Sequence, residues 1–150
     1  MSNTGIIMKK QDTGEFIIPD GFERSDGQAP FGSHSGPYYQ KITSENKLIR
    51  ALHVKPYHLN SMRFLHGGML MTFADAAMAS VIIHETDRPC VTLKMNSEFL
   101  SAALEGDWIE AHVDIVRTTK TIAFARGGLM VRGKMIFKCD GVFHFVRKKS

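Results

Sequence analysis

Cysteine is scarce in this chain: Cys90 and Cys139 stand alone, with no C-x-x-C pair. That scarcity excludes a disulfide framework and a zinc site built on clustered thiolates. It fits two reduced, structural thiols in the cytoplasm. No positively charged start runs into an apolar stretch and a small-residue cleavage site, so no secretory signal is expected. Nor is any long apolar run free of charge. The longest, Gly67 to Ile83, is 17 residues with Asp75 at its centre, marginal in length for a membrane span and wrong in chemistry there. Repeats and low-complexity tracts are missing. Aromatics are not interleaved with the basic residues, and no helix-turn-helix or zinc pattern occurs, so nucleic acid is not an expected partner. His53, His58, His84, His112 and His144 have no partner at ligand spacing, and no metal is expected.

What is present describes one soluble domain. The 150 residues are 43% hydrophobic and 23% charged, enough for a real core. The net charge is +4. Its excess lies in the second half, at Arg117, Lys120, Arg126, Arg132, Lys134, Lys138, Arg147, Lys148 and Lys149. Such a bias suits an anionic partner, and it equally suits a solvated face kept soluble by cations.

Residues 1–45 differ in texture from residues 46–150. The stretch GFERSDGQAPFGSHSGPYYQ is rich in Gly, Ser and Pro and reads as loop, or as an arm laid over the domain. KLIRALHVKP then alternates as a strand, with Leu48, Arg50, Leu52 and Val54 on one face and Ile49, Ala51 and His53 on the other. After the loop PYHLNSMRFLHGG comes MLMTFADAAMASVIIHE, too long for a strand and free of turn residues, hence a helix opening near the glycines. It is apolar on nearly all sides, which predicts a helix surrounded by protein. VTLKMNSEFL, WIEAHVDIVRT, TIAFARGGLMV and MIFKCDGVFHFVRK follow as strands. One antiparallel sheet wrapped around one long central helix buries this set most simply, an α+β architecture.

Asp75 is the odd residue in the helix. A carboxylate in an apolar setting is costly unless something pairs or uses it, and desolvation pushes a carboxyl toward the range useful for proton transfer. A buried Asp satisfied by neighbouring backbone is the plainer alternative. Gly67 and Gly68 lie where the helix begins, and the first N–H groups of a helix have no internal partners and carry partial positive charge. Glycine also lets a ligand approach the backbone closely.

The pattern N-x-x-x-x-x-H-G-G-x-x-x-x-x-x-D, filled by Asn60, His66, Gly67, Gly68 and Asp75, resembles the hotdog-fold acyl-CoA thioesterases of the phenylacetate-degradation type. VTLKMNSEFLSAA, with Thr92 near its start, and KTIAFARGGL are similar to the same family. The resemblance implies a hotdog fold over residues 46–147 and hydrolysis of an acyl-coenzyme A to free acid and CoA. It implies no cofactor apart from the coenzyme A of the substrate. By the same resemblance the Gly67 N–H polarises the thioester carbonyl, and His66 fixes that loop or shares the contact. Asp75 is then the base or nucleophile, Asn60 positions water or carboxylate, and Thr92 matches a position where the family often carries a hydroxyl. Arg63 stands where the family usually has glycine, leaving the loop's shape open. On charge and position, CoA phosphates would meet Arg117, Lys120, Arg126 or Arg132, and Gly68 and Arg63 join them as substrate- or CoA-binding residues.

Gly67 and Asp75 are eight residues apart, about 12 Å along a helix at 1.5 Å per residue. One carbonyl cannot touch both. If both act on it they come from two copies of the chain across a two-fold axis, which agrees with the homodimers, and dimers of dimers, that the resemblance implies. A hotdog hydratase or dehydratase acting on enoyl-CoA, and a non-catalytic acyl-CoA-binding protein, are the competing readings. Gly127 and Gly128 inside a strand read either as room for a pantetheine arm or as a bulge.

Overall fold

The computed structural model describes residues 16–25 and 29–147; Lys148, Lys149 and the first 15 residues of the arm lie outside them. Strand β1 (Glu23–Arg24) and helix α1 (Pro30–Ser35) precede β2 (Tyr38–Ile42) and β3 (Leu48–His53). Helix α2 (Gly67–Thr86) then leads into β4 (Cys90–Phe99), β5 (Trp108–Thr118), β6 (Ile122–Val131) and β7 (Lys134–Phe145). All seven strands form one antiparallel sheet in the order β1-β2-β3-β5-β6-β7-β4. The strand that follows α2 is therefore carried past the β5–β6–β7 meander to the far edge.

Helix α2 lies across the sheet and packs on β3 through β7. Its buried residues are Leu70, Phe73, Ala74, Ala77, Met78, Val81 and Ile82, spaced at three and four. That spacing is one face of a helix, not its whole circumference. Thr72, Asp75, Ala76, Ala79 and Ser80 are only half-buried, and Ile83 is exposed. The expected sheet around one long central helix is thus present, and within one chain it covers a single face of that helix. The apolar residues of the second face are left at the surface.

The segment expected to be loop contributes α1, β1 and β2. β2 pairs with β3 along its whole length, from Tyr38 opposite Leu52 to Ile42 opposite Leu48. Two aromatic residues after β3 tie α1 down: the Tyr57 hydroxyl donates to Gly36 O at 2.7 Å, and His58 Nε2 lies 2.8 Å from Ser35 O. The first described residue, Phe16, stacks on His53 with ring centroids 3.6 Å apart. Both faces of β3 are thus covered near its end, Leu52 by α2 and His53 by the arm.

Gly127 and Gly128 are explained by the sheet itself. A Cβ on Gly127 would sit 2.6 Å from His112 O on the neighbouring strand, and one on Gly128 would meet the Met135 side chain at 2.8 Å. A β-bulge follows between Leu129 and Met130, consistent with the bulge reading.

Candidate active site

The loop before α2 is built around Asn60. Its Oδ1 accepts from Met62 N at 3.0 Å and from Phe64 N at 3.1 Å, while Asn60 N donates to Phe64 O. The side-chain oxygen thus closes a tight turn, and Nδ2 is the group left to face a ligand. At the turn Arg63 has φ 65°, the left-handed region that favours glycine. The resemblance's usual glycine there has its reason in that angle. Arg63 swings out to Glu105, Nη2 to Oε2 2.8 Å.

His66 is the N-cap of α2. Its Nδ1 accepts from Gly68 N at 2.8 Å, and its carbonyl accepts from Met69 N and Leu70 N. Among the described residues this leaves the Gly67 N–H, of the first four in α2, without a hydrogen-bond partner. A Cβ on Gly67 would lie 3.1 Å from the Phe99 ring, so glycine keeps backbone and ring close together. Histidine therefore shapes the loop, consuming the Gly68 N–H and orienting an unpaired donor at the positive end of a 20-residue helix.

Two turns along α2, Asp75 meets Thr92 of β4: Thr92 Oγ1 donates to Asp75 Oδ1 at 2.5 Å. This contact exists because β4 runs alongside α2 at the sheet edge. One carboxylate oxygen is held and the other remains for a second partner. Nearby, burial and then the Asp75 charge push the Cys90 thiol up from its ordinary pKa, which marks Cys90 as a neighbour of the carboxylate rather than a nucleophile.

The cations sort into two groups. Arg117 and Lys120 flank the β5–β6 turn, at the end of the sheet where Thr92 lies opposite Phe143 and Ile122 opposite His144. Arg88, just before β4, joins them by donating to Lys120 O at 2.6 Å. Arg132 sits at the other end, in the β6–β7 turn, paired with Asp107 at 2.9 Å. Ten residues of β6 separate the two turns, about 33 Å at 3.3 Å per residue. Arg126 lies between them, in register with Asp114 on one side and Asp140 on the other. The six proposed cation and loop contacts do not form one cluster within a chain.

Beside Asp75 a cavity of about 330 Å³ separates α2 from α1, with Phe31, Ser35, Tyr38 and Arg50 on the side away from α2. None of these four was singled out as a site residue from the sequence. They belong to the arm and β3, and no local motif marks them.

A family model described as the thioesterase superfamily matches residues 62–134. A Pseudomonas aeruginosa protein named as an esterase is 30% identical over 129 residues, covering 85% of this chain and 96% of its own. The chain belongs to the thioesterase superfamily. Mouse acyl-coenzyme A thioesterase 13 is 33% identical over 104 residues, 65% of this chain and 74% of the mouse protein. The Escherichia coli PaaI protein from the phenylacetic acid degradation operon superposes with a TM-score of 0.63 at 21% identity, covering 67% of this chain and 72% of PaaI. The architecture is the hotdog fold, an antiparallel sheet around one long helix, and this thioesterase-superfamily member is a thioester hydrolase.

Proposed function

We propose that this superfamily member hydrolyses acyl-coenzyme A with Asp75 as general base and the Gly67 N–H as the donor to the carbonyl oxygen. The reading is carried by the Thr92–Asp75 hydrogen bond: a carboxylate fixed through one oxygen leaves the other to orient and deprotonate water. The water oxygen bonds to the thioester carbon as its proton passes to Asp75. The oxyanion accepts from the Gly67 N–H at the helix N-terminus. Collapse breaks the C–S bond, and the proton on Asp75 passes to the departing CoA sulfur. Asn60 Nδ2 is assigned to the water or the carboxylate, and the similarity to an acyl-coenzyme A thioesterase supports CoA as the thiol.

Two copies are required, because Gly67 and Asp75 stand eight residues apart on one helix, about 12 Å. The surface supports such a pairing. Among the described residues β4 pairs only with β7, and its free edge carries Leu93 at 59% exposure and Val91 at 49%. An unpaired ten-residue edge strand beside the uncovered apolar face of α2 is a surface that a second copy would cover. A two-fold axis there would also bring the two ends of the sheet, and so the two groups of cations, to one site. Two such dimers would make the tetramer. The two thiols, without a disulfide, fit a cytoplasmic protein.

A panel of aliphatic and aryl acyl-CoAs assayed with a thiol-detecting reagent tests the reading, with Asp75→Asn as the inactive control. Free CoA above background is expected from part of the panel; none from any member removes the assignment. Single turnover in H₂¹⁸O is expected to label the acid product and leave Asp75 unlabelled. Label in Asp75 would replace the base by a nucleophile forming an anhydride.

A further inference from the structure

The proposed reaction places the thioester at Asp75 and leaves the acyl tail unassigned. The cavity that Asp75 itself borders receives it, an assignment that rests on that reading. Apolar surface predominates in its lining. Its hydroxyls and guanidinium are already engaged: Ser35 Oγ donates to Phe31 O at 3.0 Å and lies 2.7 Å from the Tyr38 hydroxyl, Ser80 Oγ donates to Ala76 O at 2.7 Å, and Arg50 Nη1 donates to Ser25 Oγ at 2.7 Å. A polar tail would lose water there and find these groups taken, so an aliphatic or aryl tail is the better occupant.

A second recess, of about 320 Å³, lies toward the N-terminus of α2, bordered by Tyr57, His58, Leu59, His66 and Met69. The Tyr57 hydroxyl and His58 Nε2 are spent on Gly36 O and Ser35 O, so this recess too is chiefly apolar. The two recesses share three bordering residues, Phe31 and Ser35 of α1 and Thr72 of α2. Ser35 and Thr72 are small, and the Phe31 ring is the bulk between the recesses. From Ser80, on the first, to Met69, on the second, α2 rises about 16 Å at 1.5 Å per residue. An apolar cavity of roughly 150 Å³ holds one benzene ring. In proportion the recess at Asp75, about 330 Å³, takes about a dozen carbons. A longer tail must pass Phe31.

We infer that Phe31 sets the acyl length: the recess at Asp75 takes apolar acyl groups of up to about a dozen carbons, and the Phe31 ring closes it off from the second recess. The ring is 68% exposed, so the fold gains little from packing it, and its removal joins the recesses without opening the core. A residue of the arm thus chooses the substrate on which the Asn60–Asp75 motif acts.

The test measures kcat/KM for octanoyl-CoA and hexadecanoyl-CoA, each below its micelle concentration, in wild type and in Phe31→Ala. Wild type is expected to favour octanoyl-CoA by roughly tenfold or more, the usual worth of methylenes that a pocket refuses, and Phe31→Ala to bring the two within about threefold. A merely structural role for Phe31 would lower both values together and leave their ratio unmoved. Should Phe31→Ala fail to fold, Phe31→Leu is read in its place, with a shift of about threefold toward hexadecanoyl-CoA expected and no shift counting against the inference. Hexadecanoyl-CoA cleaved by wild type as well as octanoyl-CoA, an unchanged ratio in folded Phe31→Ala, or cleavage of neither chain while another acyl-CoA of the panel is cleaved, overturns the inference and leaves the thioesterase reading standing. Failure of every thioester in the panel removes both.

Discussion

The Thr92 hydroxyl donates to Asp75 across the gap between β4 and α2, at 2.5 Å, and so joins the first strand after the helix to the carboxylate near the helix's middle. The contact gives Asp75 an orientation that its place on a half-open helix face does not. Asp75→Asn is expected to lower kcat by two to four powers of ten, the usual worth of a positioned base. Thr92→Val keeps the shape and removes the donor; a loss of about tenfold in kcat, with KM little changed, is expected. Steady-state rates of thiol release check both, and an Asp75→Asn enzyme keeping more than about a tenth of wild-type turnover would falsify the base assignment.

The composite site is tested by mixing. Gly67→Pro removes the backbone donor at the first helical position, where proline is tolerated, and Asp75→Asn removes the base. Each homodimer is expected to be inactive. After joint unfolding and refolding half the dimers are hybrids, each with one intact site, so activity recovers to about a quarter of wild type. With folding and dimerisation of both variants shown, a mixture that stays inactive means that Gly67 and Asp75 do not meet across an interface.

The cations separate by position. Ala at Arg117 or Lys120, near the Thr92 end, is expected to raise KM for acyl-CoA and weaken its dependence on salt while kcat changes little. Arg126, flanked by Asp114 and Asp140, is expected to matter less. Titrations at two ionic strengths measure this, and an unchanged KM in every variant, Arg132→Ala included, returns these residues to a solvated face.

Acid is expected to weaken the attachment of the arm. His53 is 7% exposed under Phe16, and burial, with Lys55 and His58 nearby, lowers its pKa to about 4. His58 is lowered too, chiefly by burial; its Nδ1 accepts from Lys55 N, so a proton there would meet a donor. The unfolded chain binds these protons near pH 6.5 and the folded chain does not, so stability is full above that pH and falls as the pH drops toward 4. For His53 the loss by pH 4.5 is about 2 kcal/mol. Urea midpoints at pH 7 and 4.5 should converge in His53→Gln relative to wild type; an equal acid loss in both proteins would rule His53 out as the cause.

Much of this protein is written locally. The span of α2 and the strands from β4 to β7 follow from period-two alternation, turn residues and an Ala- and Met-rich run, each of which acts over a few residues. The pattern from Asn60 to Asp75 is likewise local, and the eight-residue separation of Gly67 and Asp75 calls for a second chain if both act on one carbonyl. Other features were decided by contacts distant in sequence. The Gly-, Ser- and Pro-rich arm has weak intrinsic preference, and β2 forms because β3 offers it a ladder while Tyr57 and His58 hold α1 in place. The uniform apolarity of α2 conceals which face the sheet covers, because burial is set by what packs there and not by the helix alone. Side-chain period does not say which strand lies at an edge, and only the crossing of β4 to the far side of β7 put Thr92 beside Asp75. The same topology placed Lys120 and Arg132 at opposite ends of the sheet and brought Tyr38 and Arg50 to the cavity at Asp75, since pairing between distant strands, not nearness in the chain, decides what a carboxylate faces.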